Sequence, residues 1–267
     1  MNSLGKRIAT AAVLVVMVLS VLFLLPPVGA AVFVCAVFLM GCWEWSGFLR
    51  QPLWIRLVYL AVGVALAWLI NAQVAGAALR ALLYGAVVWW LLVTAWLAWR
   101  DIRYGAMQTA IAGFLCLLPA WAALLLILAG PRGTWLVIWV VCIVAAADTG
   151  AYFTGKAWGR HKLAPLLSPG KTREGFAGGL CAAALVAGGG AWLLNLSPGR
   201  FLLAGPLIAA VSVVGDLTVS AFKRNAGLKD TGWILPGHGG VLDRIDSLVA
   251  AAPLFVLVLS LSGVIVV

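Results

Sequence analysis

Charge is scarce in this sequence. Lys, Arg, Asp and Glu together make up 10% of its 267 residues, where an ordinary soluble domain carries about a quarter. A water-soluble globular fold is thereby excluded, and an integral membrane protein is the class that fits. Acidic residues are scarcer still, eight against eighteen basic ones, so each carboxylate calls for an explanation. Histidine occurs only twice. The five cysteines (Cys35, Cys42, Cys116, Cys142 and Cys181) contain no CxxC pair and are odd in number. Neither a zinc site nor a disulfide framework is indicated, and the thiols are expected to be small buried hydrophobes. A cleavage site is missing as well. Lys6 and Arg7 precede an apolar run, 8–25, that is long for a signal peptide, and Pro26-Pro27 stands where small residues should follow. A retained first span is expected.

Apolar sequence is what the chain has in abundance, 64% of it. Crossing about 30 Å of hydrocarbon takes about 20 such residues in a helix. Candidate spans are 8–25, 28–49, 53–72, 81–99, 107–129, 134–156, 176–195, 201–222 and 247–267. None alternates as a barrel strand does, so the expected fold is all-α and polytopic, with nine transmembrane helices. With the N-terminus cytoplasmic, all the Lys and Arg except Arg80, Arg132 and Arg200 fall on the cytoplasmic side, the bias of the positive-inside rule. The two long polar connections, 157–175 and 223–246, fall on that side too. We therefore expect residues 1–133 to form a scaffold of spans and 134–267 to carry the catalysis. The net charge of +10 suits anionic headgroups or phosphorylated substrates; nucleic acid is not an expected partner, since membrane spans leave no long basic surface.

Little in the first five spans suggests chemistry. Glu44, between Trp43 and Trp45, is expected to anchor a helix end at the interface, Asp101 to solvate a turn, and most of the tryptophans to lie near span ends or face lipid. Gly178-Gly179 and Gly188-Gly189-Gly190 favour close helix packing, within a protomer or between two copies, so a homodimer is a candidate assembly.

The acids gather later. In the sixth span Asp148, Ala151, Tyr152 and Gly155 share one helix face by their i, i+3, i+4, i+7 spacing, and a carboxylate that deep needs a cation or water. The connection that follows reads Ser168-Pro-Gly-Lys-Thr-Arg-Glu-Gly175. Amides around Gly170 could cradle phosphate, with Lys171 and Arg173 as counter-charges. It is not a P-loop: no glycine lies five residues before Gly170, and no strand is expected ahead of it. His161 reads as part of a basic loop.

The eighth span ends with Asp216, Ser220 and Lys223 on one face, followed by Arg224. The ninth opens with Asp243, Arg244 and Asp246. Antiparallel neighbours joined by one loop can bring Asp216 and Asp243 together, and carboxylate oxygens at a dry site favour Mg²⁺ completed by substrate phosphates. Between them, Pro236-Gly-His-Gly-Gly240 suits a turn whose amides approach a ligand, and His238 could bond a phosphate.

This pattern resembles the phosphatidate cytidylyltransferases, or CDP-diacylglycerol synthases. Ser220, Lys223, Arg224, Lys229, Asp230, Gly232, Pro236, His238, Gly239, Gly240, Asp243, Arg244 and Asp246 fill that family's signature. Asp148, Ala151, Tyr152, Ser168, Pro169, Lys171, Thr172, Glu174 and Gly175 fill its upstream run. The resemblance covers about 140–250. It implies that CTP and phosphatidic acid give CDP-diacylglycerol and pyrophosphate, with Mg²⁺, and K⁺ as a second ion, on aspartates matching Asp216 and Asp243. It places the enzyme in the bacterial inner (plasma) membrane with its site facing the cytoplasm. On this expectation Asp216, Asp243 and Asp246 bind metal. Lys171, Lys223 and Arg224 neutralise phosphates, and Ser220 and His238 position oxygens. Asp148, Tyr152, Ser168, Thr172, Glu174, Lys229, Asp230, Gly239, Gly240 and Arg244 contact substrate. Two other classes stay open on the residues alone. A secondary transporter would show an internal repeat and acids at the midplane, and neither is seen. A CTP-dependent polyprenol kinase or an ether-lipid cytidylyltransferase differs only in its lipid product.

Overall fold

A computed structural model describes residues 3–73, 77–98, 104–235, 237 and 239–266. Among them are nine α-helices: α1 (Ser3–Leu24), α2 (Pro27–Ser46), α3 (Leu53–Gln73), α4 (Ala77–Leu97), α5 (Ala106–Ala129), α6 (Gly133–Trp158), α7 (Arg173–Leu193), α8 (Pro198–Asn225) and α9 (Leu242–Leu261). Eight of these are long and apolar enough to cross a membrane, and the described part of α1 adds the apolar run Thr10–Leu24. The fold is an all-α polytopic bundle, as the hydropathy predicts.

Proline marks where helices begin and is tolerated where they pack. Pro27 and Pro198 start α2 and α8, where a missing N–H costs nothing. Pro119, Pro206 and Pro253 lie inside α5, α8 and α9, where neighbouring helices make up for the freed carbonyl. One hydrophobic core runs from α1 to α9, so the N-terminal spans are packed into the same body as the C-terminal ones. The closest packing is that of α7 against α6 on one side and α8 on the other. Small residues let their backbones approach: the Cα of Gly179 faces the carbonyl of Ala147, and that of Gly205 the carbonyl of Ala183, the packing expected of helices in lipid.

Several expectations need correction. Four tryptophans depart from the majority at span ends or facing lipid: Trp45, Trp90, Trp121 and Trp139 are buried, and the rings of Trp45, Trp121 and Trp139 pack against Phe48, Phe222, Phe38, Phe201 and Phe255 in the core. Cys42 and Cys116 are buried, but Cys142 and Cys181 are exposed on the bundle surface. An apolar span does not say which of its faces meets lipid. The polar connection after α6 is not a plain loop. It contains an antiparallel hairpin, β1 (Lys162–Ala164) and β2 (Ser168–Thr172), pairing Lys162 with Thr172 and Ala164 with Ser168. Asp101, with Arg100 and Arg103 beside it, lies outside the described residues.

The helices also run past their apolar windows. α7 starts at Arg173, α8 continues to Asn225 and α9 starts at Leu242. The charged residues of both motifs therefore project from regular helix ends. The C-terminal ends of α2, α6 and α8 and the N-terminal ends of α7 and α9 gather at one end of the bundle, together with the hairpin.

Candidate active site

The sixth-span face predicted from spacing is present. Asp148, Ala151, Tyr152 and Gly155 line a cavity of about 470 Å³ together with Ser168, Gly170, Lys171 and Thr172 of β2. Leu163 of β1, Gly175 and Phe176 of α7 and Val213 of α8 line it as well. The volume suits a small-molecule ligand. Lys156 belongs to the rim, its ammonium 5.8 Å from the centre of the Tyr152 ring.

Two ion pairs organise the charges. Lys171 Nζ lies 2.5 Å from Asp216 Oδ2, joining the hairpin to α8. Asp216 Oδ1 accepts a hydrogen bond from Ser220 Oγ, one turn further along the helix, at 3.3 Å. Lys223 Nζ lies 2.6 Å from Asp243 Oδ1, joining α8 to α9, and both side chains are almost wholly enclosed. The charges that act on Asp148 are those of Lys171, Asp216 and Arg244. Those acting on the buried Asp246 are Asp216, Lys223 and Lys171.

The two aspartates expected to work together lie on packed helices at the same end of the bundle. A methyl group at Gly215 would meet the backbone oxygen of Asp246 at 2.5 Å. Asp216 is therefore level with Asp246, and Asp243 is one turn of α9 above it, about 4.5 Å along the axis. Among the described residues no three His, Cys, Asp or Glu side chains already form a cluster able to hold a metal. The donor chemistry nonetheless fits a hard cation. Asp216 and Asp243 each hold an ammonium against a carboxylate oxygen, so each carboxylate already balances a positive charge.

The remaining oxygen of Asp243 is committed to the loop. Asp243 Oδ2 accepts from Thr231 N at 2.8 Å, Thr231 Oγ1 at 2.9 Å and Gly240 N at 3.0 Å. Gly239, at φ +80°, supplies the left-handed residue that closes this turn. Its carbonyl accepts from Leu235 N at 3.0 Å, and a Cβ there would meet Asp243 Oδ2.

Other expected site residues have different surroundings. Thr172 caps α7, its Oγ1 accepting from Gly175 N at 3.1 Å. Glu174 holds the hairpin: His161 Nδ1 is 2.6 Å from its Oε1, and the amides of Arg160 and His161 donate to its Oε2 at 3.1 and 3.2 Å. His161 is thus a tie between hairpin and helix rather than loop filler. Arg224 is exposed and donates to Leu228 O at 3.4 Å; Lys229, Asp230 and Arg244 are exposed as well. His238 and Pro236 lie outside the described residues.

The residue sequence reasoning misplaced is Glu44. It is no interfacial anchor: it is buried at 3% exposure and accepts from Val241 N at 2.9 Å, Leu242 N at 2.8 Å and Thr231 Oγ1 at 2.8 Å. A carboxylate from α2 thereby caps α9, whose own N-cap, Val241, has no side chain able to do so. Six residues on, Arg50 donates through Nε to the carbonyl of Ala226, the residue that caps α8, at 2.9 Å. The one sequence signal for Glu44 was that it is the sole acid in its span.

The cytidylyltransferase family model matches residues 5–262. The chain is 44% identical to a phosphatidate cytidylyltransferase of Pseudomonas aeruginosa, over 97% of this chain and 98% of that one. It is 38% identical to a phosphatidate cytidylyltransferase of Haemophilus influenzae, over 94% and 97%. A protein of the same name from Staphylococcus aureus is 42% identical over 46% of this chain and 48% of its own.

Proposed function

The chain belongs to the cytidylyltransferase family, and from that premise we infer that it transfers CMP from CTP to phosphatidic acid, giving CDP-diacylglycerol and pyrophosphate. A phosphate oxygen of the lipid attacks the α-phosphorus of CTP, and the bond from that phosphorus to the pyrophosphate oxygen breaks. The nucleophile is already anionic near neutral pH, so no strong protein base is required. The difficulty lies in bringing two polyanions together and in stabilising charge on the leaving group.

The observation that carries this reading is the cavity between α6 and the hairpin, whose lining residue Lys171 is paired with Asp216 of α8, with the Lys223–Asp243 pair joining α8 to α9. Lys171 neutralises phosphate at the cavity wall. Lys223, released from Asp243, and Arg244 add positive charge from α8 and α9, and Ser220 orients the Asp216 carboxylate. Tyr152, Ser168 and Gly170 shape the walls that hold the nucleotide. Arg224, Lys229 and Asp230, on the exposed rim, meet substrate as it arrives. Asp216, Asp243 and Asp246 would hold Mg²⁺, with K⁺ as a companion ion. When bound, the divalent ion screens the triphosphate and supports the departing pyrophosphate. The acyl chains stay in the bilayer, and the cytoplasmic leaflet of a bacterial inner membrane brings the headgroup to the same end of the bundle.

The test supplies phosphatidic acid with CTP labelled at either the α- or the γ-phosphate, in detergent with Mg²⁺. Label from the α-position on the lipid, with none from the γ-position, is the expected result. Transfer of the γ-label would make the chain a kinase and overturn the assignment.

A further inference from the structure

We propose that Glu44 is a positioning residue for the reaction, acting on Asp243 through the shared hydroxyl of Thr231. The inference deepens the assigned reaction and rests on it, but its geometry comes from a helix that carries none of the family motifs.

Glu44 lies in the last turn of α2, nearly two hundred residues before the loop it binds. Its carboxylate accepts two of the first amides of α9 and the Thr231 hydroxyl. Negative charge at a helix N-terminus is favourable both as a hydrogen-bond acceptor and against the helix dipole. Thr231 Oγ1 stands 2.8 Å from Glu44 Oε2 and 2.9 Å from Asp243 Oδ2. A hydroxyl has one proton to donate, so the two carboxylates share it. The Thr231 amide then fixes Asp243 Oδ2 a second time. This leaves Asp243 Oδ1 as the oxygen turned toward Lys223.

Space around this link is closed. A methyl group at Gly232 would lie 2.6 Å from Glu44 Oε1, and one at Gly240 would collide with both Thr231 Oγ1 and Glu44 Oε2. Both ends of the loop are held by the same short segment, since Arg50 binds the last turn of α8 while Glu44 binds the first turn of α9. The helix with the acid thus sets the height and direction of Asp243, and a displacement of about 1 Å at a reacting site can cost on the order of 100-fold in rate.

The experiment compares Glu44→Gln, Thr231→Val, Thr231→Ser and the Glu44→Gln/Thr231→Val double variant in detergent. It measures kcat and KM for CTP, and amide hydrogen exchange over 231–242. Glu44→Gln and Thr231→Val should each lower kcat at least about 10-fold while changing KM less than about 3-fold. Thr231→Ser, which keeps the hydroxyl, should stay within about 3-fold of the parent. The double variant should be no slower than the slower single, because both changes cut one link. Exchange at 241 and 242 should speed up in Glu44→Gln. Parent-like kcat in both singles, or losses that multiply in the double, would overturn the proposal. If Glu44→Gln does not fold, the Thr231→Val and Thr231→Ser pair decides it alone. The exchange measurement needs no turnover, so a failure of the assigned reaction would show as inactive parent protein with the exchange difference intact.

Discussion

Replacing Asp243 by Asn probes the point where stability and chemistry meet. The carboxylate has four hydrogen-bond donors around it, one of them the ammonium of Lys223 at 2.6 Å. Side-chain exposure is 5% for Asp243 and 11% for Lys223, so solvent screens the pair little. An amide in its place removes the charge. It also turns an NH₂ group toward donors, either the Lys223 ammonium or the Thr231 and Gly240 amides. Breaking an enclosed ion pair from one side costs about 3–5 kcal/mol. The variant should therefore melt well below the parent, and its turnover should fall by more than about two decades, at least about 2.7 kcal/mol in the barrier. Loss of fold and loss of chemistry are separated by adding Lys223→Met, which removes the orphaned ammonium. Lys223→Met/Asp243→Asn should regain most of the melting temperature and remain inactive. Steady-state CTP turnover and thermal melting in the same detergent measure both. Activity restored in the double variant would mean that Asp243 only neutralises Lys223, and the reasoning would be refuted. Near-parent turnover in Asp243→Asn with unchanged metal dependence would refute it as directly.

Two further perturbations test the packing beneath the site. Gly215→Ala places a methyl 2.5 Å from the Asp246 carbonyl and 2.8 Å from the Ala250 Cβ. It should push α8 from α9, cost about 1–3 kcal/mol and lower kcat, whereas a melting temperature equal to the parent's would deny the close contact. Thr172→Ala removes the cap on α7 and should cost about 1 kcal/mol. The loss should appear as a lower melting temperature and a raised KM for CTP, because the capped turn adjoins Lys171.

The sequence was legible where one period or one spacing sufficed. The cavity face of α6 follows from Asp148, Ala151, Tyr152 and Gly155 at helical spacing, and all four line the cavity. The nearness of the α8 and α9 acids follows from two apolar helices joined by one polar loop. The hairpin was not legible, because β1 and β2 are too short for alternation to show. Helix ends were misplaced since hydropathy stops at the edge of the apolar run, whereas Arg50 and Glu44 let α8 and α9 continue into polar sequence. Glu44 itself was hidden by its neighbours: an acid between two tryptophans reads the same at an interface as at the buried cap of a distant helix. Only the packing of α2 against the loop tells the two apart. For the same reason the apolar spans gave no means of separating buried Trp139 from exposed Cys142, three residues on.

In the proposed reaction, acids from α8 and α9 together hold the cation that brings CTP to the site. The most direct measurement is calorimetric binding of CTP, without lipid, with and without Mg²⁺, to the parent protein and to Asp216→Asn and Asp243→Asn. Mg²⁺-dependent binding in the parent, weakened at least about 10-fold in both variants, is the predicted result. Binding of parent strength in either variant, or the same affinity without a divalent ion, would contradict it.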